Sequence, residues 1–386
     1  MRIGFEAQRL LRPHKHGMDI VALETLHALA KHAEHELVVF TKPAPETSPA
    51  PPIGIASRPH EIPVSANVSV VELTGPYPIW EQIALPNALG SQRLDVLHCT
   101  ANTAPLRSSV PLVLTLHDII FLEKAVVGGT WYQRLGNVYR RWNVPRVVQR
   151  SARILTVSDF ERQRIIDHLG VDPARVTTVH NAVSRQFRII TDAELLTRIR
   201  VQYELPERFV FFLGNPDPKK NVPNVLRALL LLKQRNELTM LLVMANVTAA
   251  YVQGVLTQIG GQSLMDNILL CGYIPNTVLP VVYNLATVFL CPSLRESFGL
   301  PILEAMACGT PVLTASTSAM PEVAGDAALL ADPTSPEDMA RQLLRLLTDA
   351  TLRTDLRQRG LARAALFSWQ NAAQQLIQIY KEVAGQ

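Results

Sequence analysis

The segment Glu296-Ser-Phe-Gly-Leu-Pro-Ile-Leu-Glu304 stands between two short apolar runs, at 288–293 (VFLCPS) and 309–314 (GTPVLT). The first run has the length and β-branched character of a buried parallel strand, and Pro301 suits the first turn of a helix. With Gly309 as its cap, that helix leads into a second strand, so the stretch predicts strand–loop–helix–strand. The two glutamates then bracket a helix start. The backbone N–H groups near Gly299 and Leu300, together with the helix dipole, suit a phosphate there.

A phosphate held by backbone donors and flanked by two carboxylates, which accept hydrogen bonds from sugar hydroxyls, describes a nucleotide-sugar pocket. The alternative is a solvated first-turn Glu304 and a loop charge at Glu296. The whole segment resembles the E-x7-E signature of retaining glycosyltransferases with the GT-B fold, in particular family 4, and the resemblance extends to residues 318–330. It implies donor contacts from Glu296, Phe298, Gly299, Leu300 and Glu304.

Length and composition bound the class of protein. The chain has 386 residues, which suggests two domains of roughly 150–200 residues each. Its four cysteines lie in apolar or helical contexts without paired spacing, so they predict buried thiols from a reducing compartment. We expect neither a secretory signal at the start nor a membrane-spanning helix. These features favour a cytoplasmic protein.

One stretch of the first half is strongly basic. Residues 125–153 contain six arginines and no acid, interleaved with tryptophan and tyrosine. A solvated helix face with core aromatics is the plain interpretation. The functional interpretation is peripheral contact with an anionic membrane, or with a lipid-diphosphate acceptor, through the region from Arg134 to Arg153. No nucleic-acid-binding motif accompanies the stretch, so we expect no nucleic-acid partner.

Strands alternate with helices in two successive blocks, which predicts an α/β protein of two doubly wound, Rossmann-like domains. The strands are predicted at 2–5, 37–40, 68–73, 95–99, 110–116, 152–157 and 176–179, then at 209–213, 239–245, 268–271, 288–292, 311–314 and 328–330. The polar segment 184–207 has the composition of a linker. The predicted domains are an acceptor-side domain at 1–188, a nucleotide-sugar-binding domain at 189–365 and a terminal helix at 366–386. The resemblance implies that the two domains face each other across a cleft, and that the terminal helix crosses back to the first domain.

The second block opens with a strand, a Gly/Pro turn and two lysines, in Phe211-Phe-Leu-Gly-Asn-Pro-Asp-Pro-Lys-Lys-Asn221. Paired ammonium groups before a helix suit a diphosphate leaving group, although two solvated lysines in a turn are the simpler alternative. The resemblance places Gly214, Asn215, Lys219 and Lys220 at the donor, with Lys220 matching the family lysine. Asn215 stands where many members have arginine, and a lysine at 219 does not reproduce the arginine fork.

In the first block His117 and Asp118 end a predicted strand, the position where ligands of doubly wound sheets bind. The resemblance implies that His117 supports positive charge at the anomeric carbon through its carbonyl and binds a sugar hydroxyl. Asp118 would orient the acceptor or fix the imidazole tautomer.

The family has a glycine loop that touches the donor diphosphate or the acceptor, and the resemblance therefore implies that Gly17 binds the donor; His16 beside it is a candidate acceptor contact. His14-x-His16 lacks a third ligand with metal spacing, and the chain contains no Asp-x-Asp pair. We therefore expect no metal and no other cofactor.

The resemblance thus implies a metal-independent, retaining hexosyltransferase with His117, Glu296 and Lys220 as catalytic residues. The resemblance favours mannose from GDP-mannose, passed to a saccharide or lipid-linked acceptor in cell-surface polysaccharide synthesis. A UDP-sugar donor, a phosphorylase or epimerase on the same scaffold, and a catalytically silent donor-binding subunit stay open.

Overall fold

The computed structural model of the protein describes residues 1–11, 17–43, 62–123 and 131–386, with the backbone alone at 131–134. These residues form two compact units, Met1–Asn181 with Ser368–Gln386, and Ala182–Phe367. The chain therefore passes between the units after Asn181 and again after Phe367. The sequence prediction placed the domain limits after residues 188 and 365, and the assignment of roles to those domains stays a prediction.

The first unit contains a seven-stranded parallel sheet in the order β3-β2-β1-β4-β5-β6-β7. Its strands are β1 (Arg2–Glu6), β2 (Glu36–Thr41), β3 (Val68–Glu72), β4 (Val96–Cys99), β5 (Leu112–Thr115), β6 (Arg153–Thr156) and β7 (Val176–Thr178). All seven strands predicted for the first block are present.

Side chains along β2 alternate between the two faces of this sheet, as a strand with both faces covered requires. Leu37 and Val39 belong to one apolar cluster, while Val38 and Phe40 belong to the other. The helices over the two faces are α1 (Gly17–Leu29), α2 (Tyr77–Ile79), α3 (Leu85–Gln92), α4 (Ile120–Glu123), α5 (Trp131–Arg150), α6 (Asp159–Leu169) and the C-terminal helix α15 (Trp369–Ala384). A π-helical turn, Trp80–Ala84, joins α2 to α3, so residues 77–92 are helical throughout.

The second unit contains a six-stranded parallel sheet in the order β10-β9-β8-β11-β12-β13. Its strands are β8 (Phe209–Leu213), β9 (Leu241–Ala245), β10 (Ile268–Leu270), β11 (Val288–Cys291), β12 (Val312–Ala315) and β13 (Leu329–Ala331). Its α-helices are α7 (Ala193–Gln202), α8 (Val222–Gln234), α9 (Ala249–Gln258), α10 (Leu279–Leu285), α11 (Leu300–Ala307), α12 (Met320–Ala324), α13 (Pro336–Thr348) and α14 (Ala350–Ala365). The order reverses between β8 and β11, and in doubly wound sheets ligands bind outside the carboxyl ends of the strands at such a reversal.

The predicted linker, 184–207, packs on the second unit. The Asn284 side chain donates to the carbonyl oxygen of Arg188 at 2.8 Å and accepts from the backbone N–H of Ile190 at 2.9 Å. Helix α7 begins after Asp192, whose carboxylate accepts the N–H of Leu195. The polar composition of 184–207 therefore does not mark a solvent-exposed linker, because helix caps and hydrogen bonds between backbone and side chains also require polar residues.

The prediction that the terminal helix crosses back to the first domain is confirmed. Leu376, Ile379 and Tyr380 of α15 share an apolar cluster with residues of α1 and β1. The Tyr380 hydroxyl lies 2.6 Å from Nδ1 of His98 on β4, and Nε2 of the same ring lies 2.7 Å from the Thr115 hydroxyl. Burial lowers the pKa of His98 to about 3, so the imidazole is neutral and one of its nitrogens accepts a hydrogen bond.

Among the described residues, no helix combines the length and the apolar character needed to cross a bilayer.

We expect Tyr380→Phe to lower the free energy of unfolding by about 1–2 kcal/mol, since it leaves a buried ring nitrogen of His98 without its partner. The urea midpoint of the first unit's unfolding transition measures the loss. Tyr273→Phe is the matched control, because Tyr273 is 74% exposed. Equal midpoints for the two variants would contradict the role of the hydroxyl.

Candidate functional site

Helix α11 begins at the carboxyl end of the second sheet, directly after the loop that follows β11. Gly299 precedes the helix with φ of +100°, a conformation that L side chains rarely adopt, and a Cβ there would lie 3.0 Å from Cδ1 of Ile302. Pro301 lies in the first turn, where no N–H needs an intrahelical partner. Leu300 is the first helical residue, so the predicted helix start is confirmed and its first-turn amides face beyond the helix end.

Glu304 is the fifth residue of α11, and its carboxyl is held by a tyrosine. Oε2 accepts a hydrogen bond from the hydroxyl of Tyr283 on α10 at 3.3 Å. Burial raises the pKa of Glu304 to about 7, against the hydrogen bond of Tyr283 and the charge of Lys220, which both lower it. Glu304 therefore changes its charge close to neutral pH.

Glu296 and Lys220 form an ion pair that joins two loops. Nζ of Lys220 lies 2.6 Å from Oε1 of Glu296, and the Ser293 hydroxyl donates to the same oxygen at 2.8 Å. The two side chains are 21% and 15% exposed. Burial raises the pKa of Glu296, but the charge of Lys220 and the hydrogen bonds outweigh it, so that pKa lies below its ordinary value. In the same way, Glu296 outweighs burial and raises the pKa of Lys220.

The loop after β8 carries Lys220 to this pair. The N–H of Gly214 donates to the carbonyl oxygen of Ala245 at 3.1 Å, and a Cβ on Gly214 would lie 2.9 Å from Val247. Gly214 thus lets two loops approach closely. The Asn215 side chain accepts the N–H of Asp217 at 2.9 Å, so in this structure it stabilises the turn. Nζ of Lys219 lies 3.7 Å from Asp217, at the solvent-exposed side of that turn.

Backbone and side-chain contacts hold this loop against the loop before α11. The N–H of Leu294 donates to the carbonyl oxygen of Lys219 at 2.7 Å, and the Asn221 side chain donates to the carbonyl oxygens of Pro292 and Pro333. Phe298 is 4% exposed and packs edge-on against Phe367, with ring centroids 5.8 Å apart. Its ring braces the loop from inside.

His117 belongs to the first unit and follows β5. Its Nε2 lies 2.9 Å from the carbonyl oxygen of Thr100, and its backbone N–H donates to the Asn102 side chain at 2.7 Å. A carbonyl accepts only, so Nε2 carries the proton and Nδ1 is left as an acceptor. Burial lowers the pKa of His117, which keeps the ring neutral. Thr100 therefore fixes the tautomer, a role that the sequence had suggested for Asp118.

The remaining first-unit candidates are placed as follows. Asp118 accepts the N–H of Ile120 at 3.1 Å, at the start of α4. Gly17 is the first residue of α1, and a Cβ there would meet nothing within 4 Å. His16 lies outside the described residues.

Sequence reasoning missed the residues that hold the candidate side chains. Ser293, within the quoted run at 288–293, carried a signal, since a hydroxyl three residues before Glu296 is within reach of it. Tyr283 carried none, because it precedes Glu304 by 21 residues. In the first unit, Glu6 was also missed. Burial raises its pKa to about 7, and its carboxyl accepts the N–H groups of Gln8 at 2.9 Å and Thr100 at 3.4 Å.

We expect Lys220→Met to lower the free energy of unfolding of the second unit by about 2 kcal/mol, because the Glu296 carboxylate would be left in a desolvated place without its cation. The double variant Lys220→Met/Glu296→Gln should recover at least half of that loss, since no net charge then remains there. Urea unfolding of the two single variants and the double variant gives the coupling energy.

Lys219→Met is the control for that cycle, because the Lys219 side chain is 42% exposed and its loss should change stability by less than about 0.5 kcal/mol. Additive effects of the two substitutions would show that the ion pair contributes nothing.

Two family models match consecutive halves of the chain. The model for Glycosyltransferase Family 4 matches residues 16–187, and the model for Glycosyl transferases group 1 matches residues 197–363. The second match contains Lys220, Glu296 and Glu304, and the first contains His117.

Curated relatives match parts of the chain. O-antigen chain mannosyltransferase B of Escherichia coli is 36% identical over 230 residues, 59% of this chain and 60% of the relative. The serotype-specific mannosyltransferase WbdA of Escherichia coli is 30% identical over 228 residues, 58% of this chain and 28% of the relative. D-inositol 3-phosphate glycosyltransferase of Salinispora arenicola is 30% identical over 292 residues, 72% of this chain and 64% of the relative. The matches thus span less than two thirds of these relatives' lengths.

Solved structures share the fold along the whole chain. Sucrose-phosphate synthase from Thermosynechococcus elongatus superposes with a TM-score of 0.73 at 20% identity, covering 99% of both chains. WaaG, a glycosyltransferase involved in lipopolysaccharide biosynthesis, superposes with a TM-score of 0.69 at 15% identity, covering 100% of both. At these identities the likeness shows the fold, which is the GT-B arrangement of two Rossmann-like domains. Since the family models take in both halves of the chain, this protein belongs to the group 1 glycosyltransferases, with a first half of the family 4 type.

Proposed function

We propose that this protein is a retaining, metal-independent hexosyltransferase that moves mannose from GDP-mannose to a saccharide or lipid-linked acceptor in cell-surface polysaccharide synthesis. The observation that carries the proposal is the arrangement at the start of α11. There, Lys220 lies against Glu296, and Glu304 follows within the helix, all at the strand-order reversal of a doubly wound sheet. One cation and two carboxyl groups thus belong to the segments that meet at the start of α11, whose first amides face outward, and this supports the proposal.

Each group takes one part of the donor in this proposal. Glu304 accepts hydrogen bonds from the ribose hydroxyls, and Glu296 accepts them from the hexose. The amides at Gly299 and Leu300, with Lys220, bind the diphosphate. Lys219 and the turn at Gly214 and Asn215 lie beside it. A diphosphate would draw Lys220 from Glu296, so the ion pair of the free protein is exchanged for two sets of ligand contacts.

In the proposed reaction the bond between the anomeric carbon and the diphosphate oxygen breaks, and the acceptor hydroxyl forms a new bond to that carbon on the same face. The hydroxyl proton passes to the departing phosphate oxygen, so charge and atoms balance. Lys220 and the helix dipole stabilise the negative charge that develops on the leaving group, the task that a metal ion performs in other enzymes. His117 supports the oxocarbenium-like carbon through its carbonyl.

The choice of mannose is supported by the printed names of the two Escherichia coli relatives, both mannosyltransferases. HepE of Anabaena, which shares the fold at 16% identity, was solved in complex with UDP and glucose, so UDP is the alternative nucleotide to test. The proposal places the protein in the cytoplasm, in peripheral contact with the inner face of the membrane where a lipid-linked acceptor would lie.

A nucleotide panel tests the donor. We expect GDP to raise the melting temperature more than UDP or ADP at equal concentration, because a ligand that binds only the folded state stabilises it. The same gain should persist in EDTA. Lys220→Met should strongly reduce the rise in melting temperature with GDP. Lys233→Met, in the last turn of α8 and away from the start of α11, should leave it unchanged. If none of the three nucleotides raises the melting temperature, the proposal is wrong. A larger rise with UDP would make UDP, and not GDP, the donor nucleotide.

Turnover tests the reaction. With GDP-mannose and manno-oligosaccharide acceptors, NMR of the product should show the anomeric configuration of the donor, and an inverted linkage would end the retaining mechanism. Dependence on orthophosphate would identify a phosphorylase. A changed sugar without an acceptor would identify an epimerase, and donor binding without turnover on any acceptor would identify a binding subunit.

Nucleotide affinity should depend on pH through Glu304. Its pKa in the free protein is about 7, and the ionised carboxylate is the better acceptor for ribose hydroxyls, so binding is full above that pH and weakens as pH falls through it. From pH 8 to pH 6 we expect a loss of roughly tenfold in GDP affinity by calorimetry. Glu304→Gln should remove the part of this dependence that comes from Glu304, so the difference between the two proteins corrects for titration of the nucleotide.

Tyr283→Phe sharpens that prediction. The tyrosine hydroxyl lowers the pKa of Glu304, so its removal should move the midpoint of the affinity change to higher pH. Tyr251→Phe, a tyrosine on α9, is the control. An unmoved midpoint in Tyr283→Phe would show that another group titrates.

A further inference from the structure

The outward face of α5 carries large apolar side chains in the first unit. Leu135, Val138 and Trp142 are 49%, 64% and 44% exposed. Their spacing of three and four residues places them in one stripe along the helix. The opposite face is buried through Val144, Val147 and Val148, so α5 is apolar on both sides.

A second apolar stripe lies on the helical segment 77–92. Ile79 and Ile83, four residues apart, are 51% and 55% exposed. This segment contacts α5 directly, because the rings of Tyr77 and Tyr139 meet edge-on at 5.5 Å and the Gln82 side chain donates to the Tyr139 hydroxyl at 2.8 Å. The two helical segments are therefore in contact, and we call their exposed faces together the two-helix surface.

The charge of the two-helix surface is entirely positive. Residues 77–92 and 131–150 contain five arginines in α5 and one acid, Glu81. Glu81 is 1% exposed and faces inward, where it accepts hydrogen bonds from Tyr139 at 2.5 Å and Thr103 at 2.6 Å. Burial raises the pKa of Glu81, and the carboxyl lies inside the unit, away from the exposed face.

Arginines lie next to the apolar stripe of α5. Arg141 follows Val138 by three residues, and Arg146 follows Trp142 by four, which makes them neighbours on the helix surface. The Arg146 guanidinium also lies 5.4 Å from the centroid of the Trp142 ring. Arg141, Arg146 and Arg150 are exposed.

We propose that the two-helix surface docks on a bilayer that contains anionic lipids. Aliphatic side chains and a tryptophan suit the boundary between headgroups and acyl chains, and guanidinium groups beside them suit phosphate headgroups. Nucleic acid would use the arginines but leave Ile79, Ile83 and Val138 exposed to water. A second copy of this chain would bring the same positive charges against each other. An anionic bilayer satisfies both the apolar and the charged parts.

The inference goes beyond glycosyl transfer, and it rests on the proposed function only in so far as a membrane would present a lipid-linked acceptor. It also enlarges the region that the sequence predicted. Ile79 and Ile83 precede Arg134 by more than fifty residues and join the surface only through the contacts of Tyr139.

Co-sedimentation of the full chain with vesicles tests the inference without donor or acceptor. At about 0.1 M salt we expect binding to phosphatidylcholine vesicles with 30% phosphatidylglycerol, at least tenfold stronger than to phosphatidylcholine alone. Ile79→Ser/Ile83→Ser and Arg141→Gln/Arg146→Gln should each weaken binding to the anionic vesicles by about tenfold or more.

Matched controls come from exposed residues of the second unit. Val201→Ser, at a side chain that is 72% exposed, and Arg198→Gln/Arg345→Gln, which removes the same number of charges, should change vesicle binding less than twofold. Equal loss in controls and surface variants would overturn the inference, as would no preference for anionic vesicles. A concentration-dependent dimer that the surface variants dissociate, without vesicle binding, would assign the surface to self-association.

The nucleotide melting shift separates this test from the proposed function. Both surface variants should keep the full gain with GDP, because the changed residues lie in the first unit, outside the proposed donor contacts. Vesicle binding without any nucleotide gain would support the docking surface and end the proposed function. A nucleotide gain without vesicle binding would overturn the docking surface and the membrane contact, and would support donor binding alone.

Discussion

The ion pair between Lys220 and Glu296 is the contact on which the organisation of the second unit's site depends. It lies where β8 and β11, neighbours in the sheet but distant in the chain, both end. Both groups have lost most of their water, so each needs the other to stay charged, and the pKa shifts of the two run in the directions that keep them so. The protein thus holds an ammonium group ready beside the positive end of α11.

The surrounding contacts make this arrangement rigid. Gly299 turns the chain into α11 with a backbone conformation that few other residues would adopt. Asn221 ties the end of the lysine turn to the loop after β11, and Phe298 anchors the same loop in the interior. The charged groups of Lys220 and Glu296 are consequently held in place by the backbone and by buried side chains around them. Preorganisation of this kind lowers the reorganisation that binding and catalysis require.

The first unit combines a buried ion pair between Arg9 and Asp19 with buried polar groups that have no such partner among the described residues. His117 is held by Thr100 and Asn102, and Glu6 accepts from the backbone of Gln8 and Thr100. Burial moves the pKa of each toward the uncharged form. Uncharged polar groups of this kind suit hydroxyl groups of a ligand, whereas the charged loops of the second unit suit an anion.

Local rules let the sequence by itself determine much of this protein. All thirteen strands and the start of α11 at Leu300 follow from apolar runs, Gly and Pro positions and helical periodicity, whereas the path of α15 was implied by the family resemblance. Those rules act over a few residues, and so they also place Glu296 and Glu304 on either side of a helix start. They do not decide which side chains meet across the fold.

Only the tertiary structure paired Lys220 with Glu296 across 76 residues and Tyr283 with Glu304 across 21. It also turned Phe298 inward, fixed the tautomer of His117 through Thr100, made the predicted linker part of the second unit and brought the helical segment 77–92 into contact with α5. Each of these depends on which buried groups lack water and find a partner, and that is settled by packing between elements far apart in the chain.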